Sequence, residues 1–437
     1  MRGMGSTLPI FSIITPTHNT KYLAEAYASL QAQTYTQWEW VVVCNGPEAA
    51  AVRTQVVALV NEDPRVKLWT APESEIPVGT IGALKRFGFM RGIGAFLVEF
   101  DHDDLLVPHA LQALADAAEA EPDAGFFFSD FVDFEGQTYG NNLSAWIASG
   151  WRFRFAVEDT LDATVIDVGE VVPCMFPPSA ASLSRILWAP NHVRVWRTET
   201  YHALDGHDAA LSVCDDHELL IRTYLETRMH HIPQVLYKYR VHAANTWTPR
   251  AAEIAKLSAD IGARHIESLV LREASLTGLP AIDLGASKSP RLGWVSCDIR
   301  DDAAIVHDLR VTPWPWADNS VQAFRANDLL EHLPDKQATM KEIWRCLAPG
   351  GWLLAETPST DGRGAFMDPT HVSYWNEPAF WYWIRDEQAH FIDNTDMRFQ
   401  VSELGTYFPG DWHKTHNISY VRARLWKPGK AFPRATI

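Results

Sequence analysis

Short apolar runs recur along this chain, each closed by a polar or glycine-bearing loop and followed by a segment whose apolar residues have helical spacing. Phe11–Thr15 opens the first series. A helix near Lys21–Gln33, a strand Trp38–Cys44, a helix near Glu48–Asn61 and a strand Val66–Thr70 follow, then a helix near Thr80–Arg91 and a strand reaching Asp101. Runs this short, alternating with helices at this spacing, predict a parallel, doubly wound sheet. A second series starts at Ala281–Leu284 and continues through Gly293–Asp298, Ala304–His307 and Val321–Ala326. The helix Lys336–Cys346, the turn Pro349-Gly350-Gly351, the strand Trp352–Glu356 and a last strand Ile418–Trp426 complete it. Between the two, Arg250–Leu276 has the spacing of a bridging helix. The expected fold class is therefore α/β with two domains: residues 1–250, a helical linker over 251–279, and residues 280–437. Residues 140–200, rich in tryptophan, proline and arginine, are expected to form substrate-side loops.

Length and charge narrow the function. At 437 residues the chain is long for one core. No stretch approaches the roughly 20 apolar residues of a membrane span, and Met1–Leu8 lacks a secretory signal's apolar core, so the cytoplasm is the expected location. Five scattered cysteines without a C-x-x-C pair read as reduced thiols, neither a disulfide framework nor a zinc site. A formal charge of −16 with no lysine or arginine run disfavours long polyanions, so nucleic acid is not an expected partner.

The chemistry concentrates where strands end, because ligands of such sheets bind beyond the carboxyl ends of the strands. Asp101-His102-Asp103-Asp104 follows the apolar run Ala95–Phe100 directly. Three crowded carboxylates repel one another unless a cation neutralises them. Asp101 and Asp103, at i and i+2, would share one side of a strand continuing through them and suit a divalent ion shared with a diphosphate. The alternative is a solvated acidic turn capping a helix that begins near Leu105.

The residues then carry a resemblance. Phe11–Asn19 (FSIITPTHN), Ala28–Tyr35 (ASLQAQTY), Trp40–Gly46 (WVVVCNG), Glu99–Leu105 (EFDHDDL), Asp215–Arg222 (DDHELLIR) and Tyr237–Thr246 (YKYRVHAANT) resemble, in order, the inverting family 2 glycosyltransferases of the GT-A fold. The resemblance implies a nucleotide-diphosphate sugar donor, with UDP- or dTDP-sugar the first expectation, and a saccharide or glycoconjugate acceptor. It implies Mn2+ or Mg2+ on Asp101 and Asp103, and His242 as a further ligand, the alternative being a structural histidine. Asp104 is expected to be a helix cap or a group behind the ligands. Inversion needs one base. Asp216 matches it, with Asp215 raising the proton affinity of the pair; both could instead cap the helix through Tyr224. Thr15, Thr17 and Asn19 are expected to line the nucleotide pocket. Asn45 stands there where relatives often have an aspartate, which leaves the donor base open. Lys85 or Arg86 could reach the base or diphosphate or be solvated helix charges, and Arg194 and Arg197 could help hold phosphate.

Residues 280–437 resemble a class I S-adenosylmethionine-dependent methyltransferase. Ala281–Ser287 (AIDLGAS), Gly293–Ile299 (GWVSCDI), His307–Leu309 (HDL) and Pro313–Val321 (PWPWADNSV) carry the likeness. Asp328–Leu333 (DLLEHL), Glu342–Leu354 (EIWRCLAPGGWLL) and Asp368–Trp375 (DPTHVSYW) complete it. It implies S-adenosylmethionine near Asp283 and Gly285, with Asp298 on the ribose diol, Asp308 near adenine and Asn327 or Asp328 on the methionine side. Ser287 and Lys288 replace glycines of the family loop. His371 could be a base for hydroxyl methylation or could fix the Asp368-Pro369-Thr370 turn. The expected whole is a bifunctional enzyme that transfers a sugar and O-methylates. The alternatives are an inactive binding or dimerisation module at the C-terminus and, disfavoured by the charge, a DNA-modifying sugar transferase.

Overall fold

A computed structural model describes residues 11–133, 155–156, 172–173, 178–185, 190–240, 247–286 and 291–428. Two compact units divide at Arg264/His265. Each has its own sheet, and each is α/β.

In the first unit, β1 (Phe11–Thr17), α1 (Leu23–Gln31), β2 (Trp38–Cys44), α2 (Ala49–Glu62), β3 (Val66–Thr70), α3 (Ile81–Phe89) and β4 (Phe96–Glu99) alternate as expected. β5 (Leu105–Leu106), α4 (Ala110–Ala120), β6 (Ala124–Asp133) and a small pair, β7 (Phe155–Ala156) with β8 (Val172–Pro173), come next. They precede α5 (Ala180–Arg185), β9 (Arg194–Arg197), α6 (Thr198–Ala203), α7 (Asp215–Glu226) and β10 (Arg228–Tyr239). Every residue of β2 is buried, because a parallel strand covered on both faces needs a continuous apolar run.

The sheet order is β3-β2-β1-β4-β9-β6-β10-β5. Its left half is parallel, but β9 runs antiparallel to both β4 and β6, so the sheet is mixed and the expectation of an all-parallel sheet is corrected. This central strand falls inside the stretch expected to be loops, most of which lies outside the described residues. Arg194-Val195-Trp196-Arg197 carries two charges in four residues and lacks the apolar run that marks a central strand. Carboxylates of Glu99 and Asp216 around Arg194, and the Ala118, Glu121 and Ala124 carbonyls around Arg197, make its burial tolerable.

α8 (Trp247–Thr277) continues past the division between units, with Ile254 and Ile261 buried on one side of it and Ile266, Leu269 and Val270 on the other. The second unit contains β11 (Ala281–Leu284), β12 (Val295–Asp298), β13 (Ile305–Val306), β14 (Val321–Asn327), α9 (Lys336–Cys346), β15 (Leu347–Pro358), β16 (Gln400–Tyr407) and β17 (Tyr420–Trp426). Their order is β13-β12-β11-β14-β15-β17-β16, parallel through β15 and antiparallel beyond it. Pro349-Gly350-Gly351 is not a separate turn. It lies within β15 as an irregularity that shifts the register against β14, with Gly350 at φ +88° and its N–H bonded to the Lys427 carbonyl. Phe324, Ile343, Leu353, Trp375, Phe380 and Leu425 are among the core residues.

Candidate functional site

In the first unit the site is a cluster of buried charges around the carboxyl end of β4. Glu99, the last residue of β4, is fully buried. It accepts a hydrogen bond from Lys85 Nζ of α3 at 2.5 Å and one from Arg194 Nη1 of β9 at 3.3 Å. Arg194 Nη1 also donates to Asp216 Oδ2 at 2.7 Å, and Lys85 Nζ lies 3.5 Å from Asp215 Oδ2. Two cations therefore hold three carboxylates, which is the condition for keeping any of them charged inside the protein. Sequence reasoning missed Glu99. Its signal was a single charge within an otherwise apolar strand.

Asp215 and Asp216 occupy the first turn of α7, where the helix dipole favours anions. Cys214, immediately before them, has φ +60°, in the left-handed region that non-glycine residues seldom occupy. The two carboxyls behave differently. Burial, over the opposing effect of Lys85, pushes Asp215 up to about 6. For Asp216, burial also works against the charged form, but Arg194 and then Lys85 outweigh it and hold the carboxyl down at about 2. Asp216 keeps a quarter of its side chain exposed, whereas Asp215 keeps 4%. Of the pair, Asp216 is the one an outside hydroxyl could reach. His207 lies 3.8 Å from Asp215 and is held at about 3 by burial, so it is neutral.

The aspartate cluster forms a turn beyond β4, with the Asp104 N–H bonded to the Asp101 carbonyl; no strand continues through it. The acidic-cap alternative is corrected too, because Leu105 starts β5 and the helix begins at Ala110. Asp104 is buried and saturated: Tyr237 donates its hydroxyl to Oδ2 at 2.8 Å, and the Arg240 N–H bonds Oδ1 at 2.7 Å. Arg240 also donates from Nε to the Asp103 carbonyl at 2.7 Å, so the end of β10 fixes the turn from behind. Asp101 differs. A third of its side chain is exposed, and His192 Nε2 lies 3.5 Å away, on a ring that burial holds toward its neutral form. Burial raises its proton affinity, and the Asp103 charge adds to this. Two adjoining carboxylates, one without a close guanidinium or ammonium, suit a divalent cation. His242 lies outside the described residues.

Asn19 reaches the same turn, with Nδ2 3.2 Å from His102 Nε2. Asn45, buried at the end of β2, donates to the Ile76 carbonyl at 3.2 Å, and the Thr17 hydroxyl donates to the Asn19 carbonyl at 2.8 Å. Three expectations are corrected. Thr15 points into the core, where its hydroxyl accepts from Trp40 Nε1 at 2.8 Å. Lys85 and Arg194 are spent on Glu99, Asp215 and Asp216; neither is a solvated charge or an uncommitted phosphate ligand.

In the second unit Gly285, Asp298 and Asn327 end β11, β12 and β14, side by side on one edge. Gly285 has φ +77°, a backbone conformation that side-chain-bearing residues rarely adopt, and a Cβ there would stand 3.1 Å from Leu329 Cδ1. Asp298 is half-buried and turns one oxygen to the Arg300 N–H at 3.1 Å. Asp283 is corrected: it is buried within β11 and bonded to Arg325 Nη1 at 3.0 and 3.1 Å. Asp308 is likewise engaged, by a hydrogen-bonded pair with Arg310 that holds it at about 2. Ser287 and Lys288 lie outside the described residues. His371 Nδ1 is 2.9 Å from the Ala365 carbonyl.

Comparison with known proteins agrees with this division. Residues 12–175 match the family model Glycosyl transferase family 2, and residues 279–406 match a Methyltransferase domain model. The O-antigen biosynthesis protein RfbC of Myxococcus xanthus is 25% identical over 242 residues, covering 55% of this chain and 16% of that protein. The uncharacterized protein y4gI of Sinorhizobium fredii is 30% identical over 127 residues, 28% of this chain and 13% of that protein. This chain thus spans under a fifth of the length of either. Among solved structures, S. aureus TarS 1-349 in complex with UDP-GlcNAc aligns with a TM-score of 0.42 at 18% identity, covering 65% of this chain and 78% of that one. The mannosyltransferase PcManGT from Pyrobaculum calidifontis in complex with GDP-Man and Mn2+ aligns at 0.37 and 14%, covering 63% and 77%. The chain carries a family 2 glycosyl transferase domain followed by a methyltransferase domain.

Proposed function

We propose that the first domain is an inverting transferase that moves a sugar from a uridine or thymidine diphosphate donor to a saccharide or glycoconjugate, with Asp216 as the base. One observation carries this reading. Asp216 is ionised, partly exposed and held by Arg194 at the strand ends that also bear Asp101 and Asp103. An acceptor hydroxyl would bond to Asp216 and lose its proton to it as the oxygen attacks the anomeric carbon. Arg194 fixes the direction of the carboxylate, and Glu99 and Lys85 keep that guanidinium in place. Asp215, with its raised proton affinity, stays behind as part of the support. Asn19 and Asn45 are proposed to face the nucleotide. Asp101 and Asp103, with His242 on the family resemblance alone, would hold Mn2+ or Mg2+, which would neutralise charge on the departing diphosphate. The partial likeness to an O-antigen biosynthesis protein supports a saccharide acceptor.

We propose further that the second domain binds S-adenosylmethionine at the edge formed by Gly285, Asp298 and Asn327, with Asp298 accepting from the ribose diol. When bound, this cofactor would supply the methyl group.

The test uses chelator-treated full-length protein, a panel of labelled nucleotide sugars and added Mn2+ or Mg2+. Metal-restored donor hydrolysis or transfer is expected. If no donor shows turnover or metal-dependent binding, the reading is wrong.

A further inference from the structure

Glu331 and His332 lie on a short 3₁₀ turn (Leu330–His332) just past the carboxyl end of β14. The loop carrying His371 is fastened to this turn, because the Val372 and Ser373 N–H groups both bond the Glu331 carbonyl, at 2.9 and 3.0 Å. The Ser373 hydroxyl and Trp375 Nε1 bond the Leu330 carbonyl at 2.9 and 3.1 Å. As a result the rings of His332 and His371 sit 5.0 Å apart, edge to face. One ligand atom from each of Glu331, His332 and His371 lies within 4.8 Å of the others. Among the described residues, no other three histidine, cysteine or acidic side chains meet that condition.

The hydrogen bonds set what each group presents. His371 Nδ1 is 2.9 Å from the Ala365 carbonyl, and His332 Nδ1 is 3.2 Å from the Thr370 carbonyl. A carbonyl only accepts, so in each ring Nδ1 carries the proton and the Nε2 lone pair remains available. Metal-bound imidazoles are oriented in this way, by a backbone carbonyl on the far nitrogen. Glu331 Oε2 accepts from the Thr357 hydroxyl at 2.6 Å, which leaves Oε1 facing His371 Nε2 across 3.9 Å. That gap is too wide for a hydrogen bond. Glu331 Oε1 and the His371 Nε2 lone pair thus face each other with no hydrogen bond joining them, an arrangement that a cation relieves.

We propose that Glu331, His332 and His371 form a binding site for a first-row divalent metal ion in the second domain. Two imidazole nitrogens and one carboxylate oxygen favour Zn2+, Mn2+ or Co2+ over Mg2+ or Ca2+, which prefer all-oxygen shells. Three protein ligands leave at least one coordination position open. The three residues gather beyond the end of β14, which closes at Asn327, and an oxygen of a hydroxyl-bearing acceptor could fill such a position. The site is separate from the Asp101–Asp103 turn, and it stands whether or not methyl transfer occurs.

Cobalt titration of the chelator-treated full chain tests this, in a D101N/D103N background that removes the proposed site of the first domain. Saturable visible absorption typical of imidazole ligation is expected, at one Co2+ per chain. Glu331→Gln, His332→Asn and His371→Ala should each weaken binding at least about tenfold, with the melting temperature of the metal-free protein unchanged. No saturable spectrum, or affinities equal to the parent in all three variants, overturns the proposal. Should the buried Glu331 or His371 variants fail to fold, the half-buried His332→Asn decides: parental affinity there refutes it.

Discussion

At the scale of single residues, the first domain uses charge balance to give neighbouring aspartates opposite characters. Asp215 and Asp216 adjoin on α7, yet one is pushed up to about 6 and the other held at about 2, because only Asp216 shares a hydrogen bond with Arg194. Replacing Asp216 with Asn keeps an oxygen for Arg194 and removes the base. Turnover should fall by about two to four orders of magnitude, as measured by kcat on the best donor at a temperature where the variant stays folded, with some loss of stability from the broken Arg194 pair; an active Asp216→Asn protein would assign the base elsewhere. The same pair predicts stability against pH. Asp215 binds its proton more tightly folded than unfolded, so its contribution falls as pH rises from 3.8 to about 6. Asp216 acts oppositely, stabilising above 3.8 and losing that contribution as pH falls through about 2. Asp215→Asn should therefore flatten the stability profile between pH 3.8 and about 6 in urea denaturation. An unchanged slope would place the titration on another group.

At the scale of elements, α3 positions Lys85 because it lies close on the sheet. Gly88 permits this: a Cβ there would come within 2.8 Å of Ile14 Cγ2 on β1 and Val43 Cγ2 on β2. Gly88→Ala should overpack the contact and cost about 1–3 kcal/mol. Chemical denaturation measures it, and a midpoint at the parental value would show that the helix can move away freely. Most elements here were legible in the sequence. β2, β3, β11 and α9 have the bounds that their apolar runs and turn residues predicted. β9 was not legible, since Arg194 and Arg197 hide a central strand behind two charges. The Asp101–Asp104 turn was legible as a cluster but not as a shape, because Tyr237 and Arg240 bend it from far along the chain.

At the scale of the molecule, the two domains have separate sheets and the second has a core of its own. S-adenosylmethionine binding is therefore expected to be indifferent to changes in the first domain. In calorimetry on the full chain, Asp298→Ala should weaken it roughly 10- to 100-fold, the loss of hydrogen bonds to a charged acceptor. D101N/D103N should leave it unchanged; a large effect of that double variant would mean the domains are coupled.

The sequence by itself determined the two strand-and-helix series and the stations at which chemistry could gather, since apolar spacing and turn residues act over a few neighbours. Asp101 and Asp103 could be singled out in that way, whereas Asp216, Gly285 and Asp298 were singled out by family resemblance. Only the tertiary structure decided which charge neutralises which. It moved Lys85, Arg194 and Asp283 from candidate ligands to ion-pair partners and added Glu99 to the site. The physical reason is that Coulomb energy depends on separation in space and on burial, and neither is set by distance along the chain.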